Sequence, residues 1–344
     1  MNIEKISLLP IFQAPMAGGI TTPNLVATVS NTGAVGSFGF AYSSAKKIDK
    51  DLIEVRRLTK NPINANFFIF PQNVNLSGKQ SANANKALNE LPLLLNNPSV
   101  DLPTTYFPLL EKQLEPIWIH KPEFLTFHFG VPPKRFLRQA RSLGIKVGIT
   151  ATCAKEASQI QSQGADFIIA QGVEAGGHRG TFNASNKIDK KLCTLDLLRD
   201  LKKQFKIPIV CAGGIMNGKD ISDFLNEGAI AVQMGTAFLC CDEAGTNSVY
   251  KNYILKEKER RTVYTRGFSG RWARCLENEF TSLMEGKTVL PFPLQFNLTA
   301  ILRKLAEEEG NGEYQSFYAG KHFKKARKLP AATLISKLAN EMNN

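Results

Sequence analysis

The sequence predicts an α/β fold, an eight-stranded parallel β/α barrel of the TIM type with lid insertions, on three observations. Short β-rich runs alternate with segments of helical period along the chain. Twice a glycine ends a helix and an alanine opens the next strand, at Gly164-Ala165-Asp166 and Gly228-Ala229-Ile230. No GxGxxG follows the first strand, so an open dinucleotide-binding sheet is disfavoured, and eight strand candidates suit a closed barrel better.

In chain order the strand candidates are Pro10 to Ala14, Ala34 to Phe38, Ile63 to Phe70, Phe124 to Phe129, Ile145 to Thr150, Asp166 to Ala170, Pro208 to Ala212 and Ala229 to Gln233. Each is short, apolar and bounded by turn residues, as buried parallel strands are. Helices fit between most of them: Pro23 to Thr32, Ala45 to Thr59, Pro133 to Leu143, Ala154 to Gln163, Leu195 to Phe205 and Gly218 to Asn226. Thr22-Pro23 offers a cap and an N1 proline, and Asn217 caps the helix after it. Residues 1–240 are expected to form the barrel, with a polar insertion from Asn73 to Pro122 that has a leucine-rich centre at Leu88 to Leu95. Residues 241–287, with the charged run Tyr250 to Arg261, are expected as a cap, and 288–344 as helix returning to the barrel's outside. Insertions after barrel strands fall on the catalytic face, which makes both of them lid candidates.

Composition narrows the class. Hydrophobic residues make up 43% and charged residues 21%, the balance of a soluble globular protein. No apolar run approaches the ~18 residues that span a bilayer, and the N-terminus lacks a signal-peptide pattern. The cysteines (153, 193, 211, 240, 241 and 275) have no CxxC spacing, so neither a disulfide framework nor a zinc site is expected, and a reducing cytoplasm is. The net charge of +13 is spread along the chain without a nucleic-acid motif; it reads as a solvated surface, or as steering of small anions.

The most informative stretch is QGVEAGGHRG, Gln171 to Gly180, where a glycine pair (Gly176, Gly177) at a strand end leads into His178. Glycines there let backbone amides approach a ligand, and an imidazole suits proton transfer near neutral pH. Strand seven ends in CAGGIMNG, with Ala212, Gly213 and Gly214, and strand eight in QMGTAF, with Gln233, Met234, Gly235 and Thr236. These are the loops where barrels often hold a phosphate, and amides and a hydroxyl can do so without a cation. Strand one ends in Ala14, Pro15 and Met16, a flat apolar surface for a planar ring. Asn66 and Gln171 are in-strand amides that need partners if buried, and with that surface they fit the edge of an isoalloxazine. His128, at the end of strand four, points to the same mouth, whereas His120 and His322 lack such context. The histidines lack the spacing and carboxylates of a metal site.

In order, PIFQAPMAGG, PINANFF, QGVEAGGHRG, CAGGIMNG and QMGTAF resemble the motifs of the nitronate monooxygenase family, formerly 2-nitropropane dioxygenases. GFSGRWARCLENEF, FPLQFNLTAILRK and YQSFYAGK extend the resemblance over essentially the whole chain. The resemblance implies an FMN-containing barrel that oxidises alkyl nitronates with O2, giving a carbonyl compound and nitrite. It needs no metal and works as a monomer or homodimer. It carries the active-site histidine onto His178 and flavin contacts onto Met16, Asn66, Gln171, Gly176, Gly177, Gly213, Gly214 and Gln233 to Thr236. It makes His128 a pocket residue. In relatives whose pocket segment carries two tyrosines and a lysine, the matching positions here are Phe292, Phe296 and Ala300. Two hydroxyls and a cation are therefore expected to be missing for an anionic substrate such as propionate 3-nitronate. A flavin-dependent enoyl-acyl-carrier-protein reductase using NAD(P)H, which is similar and shares the GGH and MGT motifs, is the alternative.

Overall fold

The computed structural model describes residues 7–71, 77–94, 107–184, 191–256 and 259–343. Parts of the segments expected over Asn73 to Pro122, Leu88 to Leu95 and Tyr250 to Arg261, and most of the N-terminal stretch expected to carry no signal peptide, lie outside the described residues. The strands are β1 (Ile11–Gln13), β2 (Gly36–Gly39), β3 (Ile63–Phe68), β4 (Phe124–His128), β5 (Lys146–Ala151), β6 (Phe167–Gln171), β7 (Gly177–His178), β8 (Ile209–Ala212), β9 (Ala231–Met234), β10 (Thr262–Thr265) and β11 (Ala273–Leu276). Eight of them pair in parallel in the order β1-β9-β8-β6-β5-β4-β3-β2, and a parallel bridge from Phe12 to Val35 joins the two outer strands. This is the predicted β/α barrel, with every predicted strand present to within a few residues.

Successive side chains on a strand face opposite ways. In β4 and β6, Leu125, Phe127, Ile168 and Ala170 join the core beneath the helices, while Phe124, Phe167 and Ile169 turn into the barrel. There Phe124 meets Phe12 and Phe167 edge-on, with centroids 5.0 and 6.0 Å apart. Burial of each ring is worth about 2–3 kcal/mol, and together they make this end a packed floor rather than a pore. Gly148 in β5 makes room for it: a Cβ there would lie 2.2 Å from the Phe167 ring. Above the floor runs a polar layer, in which the Asn64 amide donates to Thr126 Oγ1 at 3.0 Å and Ser37 Oγ at 3.2 Å.

The helices begin where the caps predict. Thr22 Oγ1 accepts from Leu25 N–H ahead of the helix Pro23–Asn31, and Asn217 Oδ1 accepts from Asp220 N–H ahead of Gly218–Asn226. The helix Leu110–His120 is a difference. It packs against the helix Ala45–Leu58 and buries Leu114 and Ile117, so it is the barrel helix between β3 and β4 rather than part of a lid. Its start carries no capping side chain and Pro116 lies inside it, so local sequence gave no helix signal. A second apolar cluster joins Ala84 and Leu88 from the helix Gly78–Asn89 to Phe268, Phe280, Leu290 and Leu302 from the C-terminal third. It meets the barrel where Phe292 packs among Phe68, Phe70 and Phe129, beyond the C-terminal ends of β3 and β4. The helix Ala331–Met342 returns to the outside of the barrel, against Pro23–Asn31 and Gly218–Asn226. No helix among the described residues is long and apolar enough to cross a membrane.

Candidate active site

Because strand side chains alternate, the last inward residue of each strand reaches the C-terminal mouth. Asn66, Phe68, His128, Thr150, Gln171, Ala212 and Gln233 do so, and all line one cavity of about 370 Å³. Ala14, Pro15 and Met16 form another part of its wall, and Gly176, Gly177, His178, Gly213, Gly214, Met234, Gly235 and Thr236 complete the predicted set around it. Such a volume is ordinary for a small-molecule site. Phe296 also lines it. Phe292 does not: it is buried behind the wall, with its ring 5.8 Å from that of His178.

One end of the cavity is made of backbone. Gly213 and Gly214 have φ of +122° and +77°, a region that L side chains rarely adopt. A Cβ on Gly235 would meet nothing nearer than Ala14 Cβ at 3.4 Å, so the space over this residue is open. Thr236 Oγ1 accepts from Gly320 N–H at 2.9 Å, which leaves its own proton to donate. The segment around Gly320 was not expected here. It lies so close to the Gly176 loop that a Cβ on Gly176 would come within 2.6 Å of the Gly320 nitrogen, and Lys321 N–H donates to the Glu174 carbonyl. It also brings His322 to the cavity, where Nδ1 donates to the Gly214 carbonyl at 2.8 Å.

The other end is made of side chains. His178 stands not on a free loop but on β7, which pairs with β11 so that His178 faces Ala273. Its carbonyl accepts from Gln171 Nε2 at 3.0 Å and from His128 Nε2 at 3.2 Å. A carbonyl can only accept, so His128 carries its proton on Nε2, and its Nδ1 accepts from Thr150 Oγ1 at 3.0 Å. Gln171 Oε1 accepts from Gly180 N–H at 2.8 Å. Gln171 and His128 therefore brace the His178 backbone. The amide of Asn66 finds its partner in Thr126 Oγ1 at 3.0 Å, whereas Gln233 Oε1 is buried with no hydrogen-bond partner among the described residues.

The His178 ring is enclosed by Phe68, Phe129 and Tyr318, with Nε2 2.9 Å from Ser269 Oγ. Burial, then the repulsion a second proton would meet from a protonated His128, and the cations Arg271 and Arg303, push its pKa down to about 3. Burial does the same to His128, also to about 3. Both imidazoles are neutral at physiological pH. Arg303 lies on the cavity wall with its guanidinium 3.9 Å from the Phe296 ring centre and donates to the Phe296 carbonyl at 2.7 Å. It makes no ion pair among the described residues, and burial lowers its pKa. Tyr42 stacks on Phe296 at 4.4 Å, with its hydroxyl buried and without a hydrogen-bond partner among the described residues. The result is a largely enclosed chamber with a neutral imidazole, and with a buried guanidinium that has no ion pair and a phenol that has no hydrogen-bond partner among the described residues.

Sequence reasoning missed Tyr42, Ser269, Arg303, Tyr318 and His322. Tyr42 follows the end of β2 and could have been found by extending the strand-end argument. The others come from segments whose docking no local pattern encodes.

A family model described as nitronate monooxygenase matches residues 1–341. A nitronate monooxygenase of Pseudomonas aeruginosa is 39% identical, the match covering 97% of this chain and 96% of that protein. Among solved structures, a nitroalkane oxidase from Streptomyces ansochromogenes superposes with a TM-score of 0.93 at 35% identity, covering 100% of this chain and 98% of that one. FabK from Thermotoga maritima has a TM-score of 0.71 at 24% identity over 98% and 93% of the two chains, a likeness of fold alone.

Proposed function

The chain belongs to the nitronate monooxygenase family, and from that premise we propose that it is an FMN enzyme. In this reading it oxidises an alkyl nitronate with O2 to a carbonyl compound and nitrite. One observation carries the reading: a buried Arg303, with no ion pair among the described residues, and a neutral His178 line one cavity that continues into a glycine cradle. A nitronate is an anion, and a guanidinium in a dry, low-dielectric wall attracts it far more strongly than one in water.

The residues present fit the cofactor. Gly213, Gly214, Gly235 and Thr236 would hold its phosphate through amides and one hydroxyl. Ala14, Pro15 and Met16 would lie against the ring, and the orphaned Gln233 Oε1 and the Asn66 amide, from other parts of the wall, would meet its polar edge. Bound there, FMN supplies the electron-accepting chemistry that lets a nitronate react with O2. The chain's own part is positional and electrostatic. Phe68, Phe129 and Tyr318 exclude water, and Arg303 with the Tyr42 hydroxyl orients the anion. His178 Nδ1 or Nε2 takes the carbon-bound proton when the substrate is a neutral nitroalkane.

The cation missing at Ala300 is replaced by Arg303 less than one helical turn further on. A carboxylated nitronate such as propionate 3-nitronate therefore belongs in the substrate panel. We place the enzyme in the cytoplasm, acting on small molecules and not on nucleic acid. The test is direct. The purified protein should be yellow, consume O2 with alkyl nitronates and release nitrite. A colourless protein that takes up no FMN refutes the reading, and anaerobic bleaching of the flavin by NADH would turn it toward an enoyl reductase.

A further inference from the structure

The proposed phosphate cradle contains one titratable side chain that the family motifs do not include. His322 lines the same cavity as Gly213, Gly214 and Thr236. Its Nδ1 is 2.8 Å from the carbonyl oxygen of Gly214. That oxygen has no proton to give, so Nδ1 holds the hydrogen and, in the neutral ring, Nε2 presents a lone pair. Nε2 makes no hydrogen bond among the described residues. The contact is enforced from both sides, because a Cβ on Gly214 would lie 3.3 Å from His322 Nδ1.

We infer that His322 is a proton-dependent ligand of the cofactor phosphate, so that FMN binding takes up a proton above neutral pH. The inference rests on the cofactor reading above. A lone pair facing a phosphate dianion repels it; with one proton between the two, the same pair forms a charge-assisted hydrogen bond. The Gly214 carbonyl prevents the ring from escaping by switching tautomer, since Nδ1 must keep its hydrogen there. Above neutral pH a phosphomonoester is a dianion with no proton of its own, so the proton shared with the neutral ring must come from solvent.

Other charged groups lie near the ring. Glu174 packs its Cβ beside Gly214, but its carboxylate accepts from the Thr194 N–H and Oγ1, each at 3.0 Å. Asp220, Asp223 and Glu227 line a neighbouring cavity that His322 also borders. Lys321, Lys324 and Lys325 flank it on its own segment. All of these groups are present whether FMN or riboflavin binds, so only the phosphate distinguishes the two ligands.

The experiment is calorimetric titration of FMN into flavin-free protein at pH 7.5, in two buffers of different ionisation enthalpy, repeated with riboflavin. The wild-type protein should take up close to one proton with FMN and none with riboflavin. Its Kd for FMN should weaken by up to about tenfold per pH unit above pH 6.5, while that for riboflavin stays flat. In His322→Gln, binding should be weaker at pH 6.5, and both the proton uptake and the slope should vanish. FMN bound without proton uptake, uptake equal for riboflavin, or uptake persisting in His322→Gln would overturn the inference and leave the cofactor reading standing. Failure to bind FMN at all would overturn both. The comparison of FMN with riboflavin needs no variant, so the outcome does not depend on how His322→Gln folds.

Discussion

The two ends of the cavity are built from different materials. At the Gly213 and Gly235 end the wall is backbone, fixed by strands β8 and β9 and by φ values that only glycine adopts readily. At the His178 end it is side chain: a ring on β7, a guanidinium from the helix Ala300–Glu308 and phenyl groups from β3, from just after β4 and from Phe292. A backbone wall offers donors of fixed direction to a ligand part that never changes. A side-chain wall can be retuned by substitution, which suits the part that sets substrate and chemistry. Each end should therefore fail in its own way.

The sharpest break is expected at the backbone end. Gly235→Val should lose FMN altogether and melt where the flavin-free wild-type protein does, because a Cβ there meets nothing in the protein nearer than 3.4 Å, whereas the ligand would be displaced. Gly213→Ala should lose both, since its φ of +122° and the Thr194 Oγ1 2.9 Å from a new Cβ strain the loop itself, by about 1–3 kcal/mol. Absorbance at fixed protein concentration and thermal melts separate the two. A yellow Gly235→Val protein would remove this end from the site.

At the side-chain end the flavin should stay and turnover should suffer. His178→Asn is expected to lower kcat/KM for a neutral nitroalkane by about 10²–10⁴-fold and for its preformed nitronate by much less. Oxygen uptake with both forms of one substrate reads the difference; equal losses would make His178 a positioning residue. Arg303→Met should come next, raising KM for nitronates by about ten- to a hundredfold with a smaller change in kcat. An unchanged KM would mean that the guanidinium only supports Phe296.

The smallest effect concerns pH. An imidazole in the unfolded chain titrates near 6.5, whereas His178 and His128 are held at about 3 in the folded one. Between those values the unfolded state binds more protons, so stability is full above about pH 6.5 and is lost as pH falls toward 3. Each histidine adds a slope of at most about 1.4 kcal/mol per pH unit. Denaturant midpoints from pH 7 to 4 should fall less steeply in His178→Asn. By the same argument, kcat/KM should show no inflection from His178 between pH 5 and 8; one there would mean that bound cofactor restores its basicity.

The contrast also explains what could be read from the sequence. A glycine pair after an apolar run signals a strand end and close ligand approach within ten residues, so Gly176, Gly213, Gly235 and the barrel itself were legible. His178 was legible because it shares that local frame. Arg303 was not: it reaches the cavity only because the second apolar cluster docks its helix there, more than a hundred residues from His178 in the chain. The helix Leu110–His120 was hidden for a different reason, an uncapped start and an internal proline overruled by tertiary packing.

The crossing of residues 316–322 over the mouth also has a meaning in time. Thr236, Gly176 and Gly214 each touch this segment, and it is translated after all eight barrel strands. While it is still being made, a nascent barrel can collapse around its phenylalanine floor but lacks one wall of the cradle. Capture of the proposed FMN would then wait until residues 316–322 have been made, and products that end before them should emerge colourless.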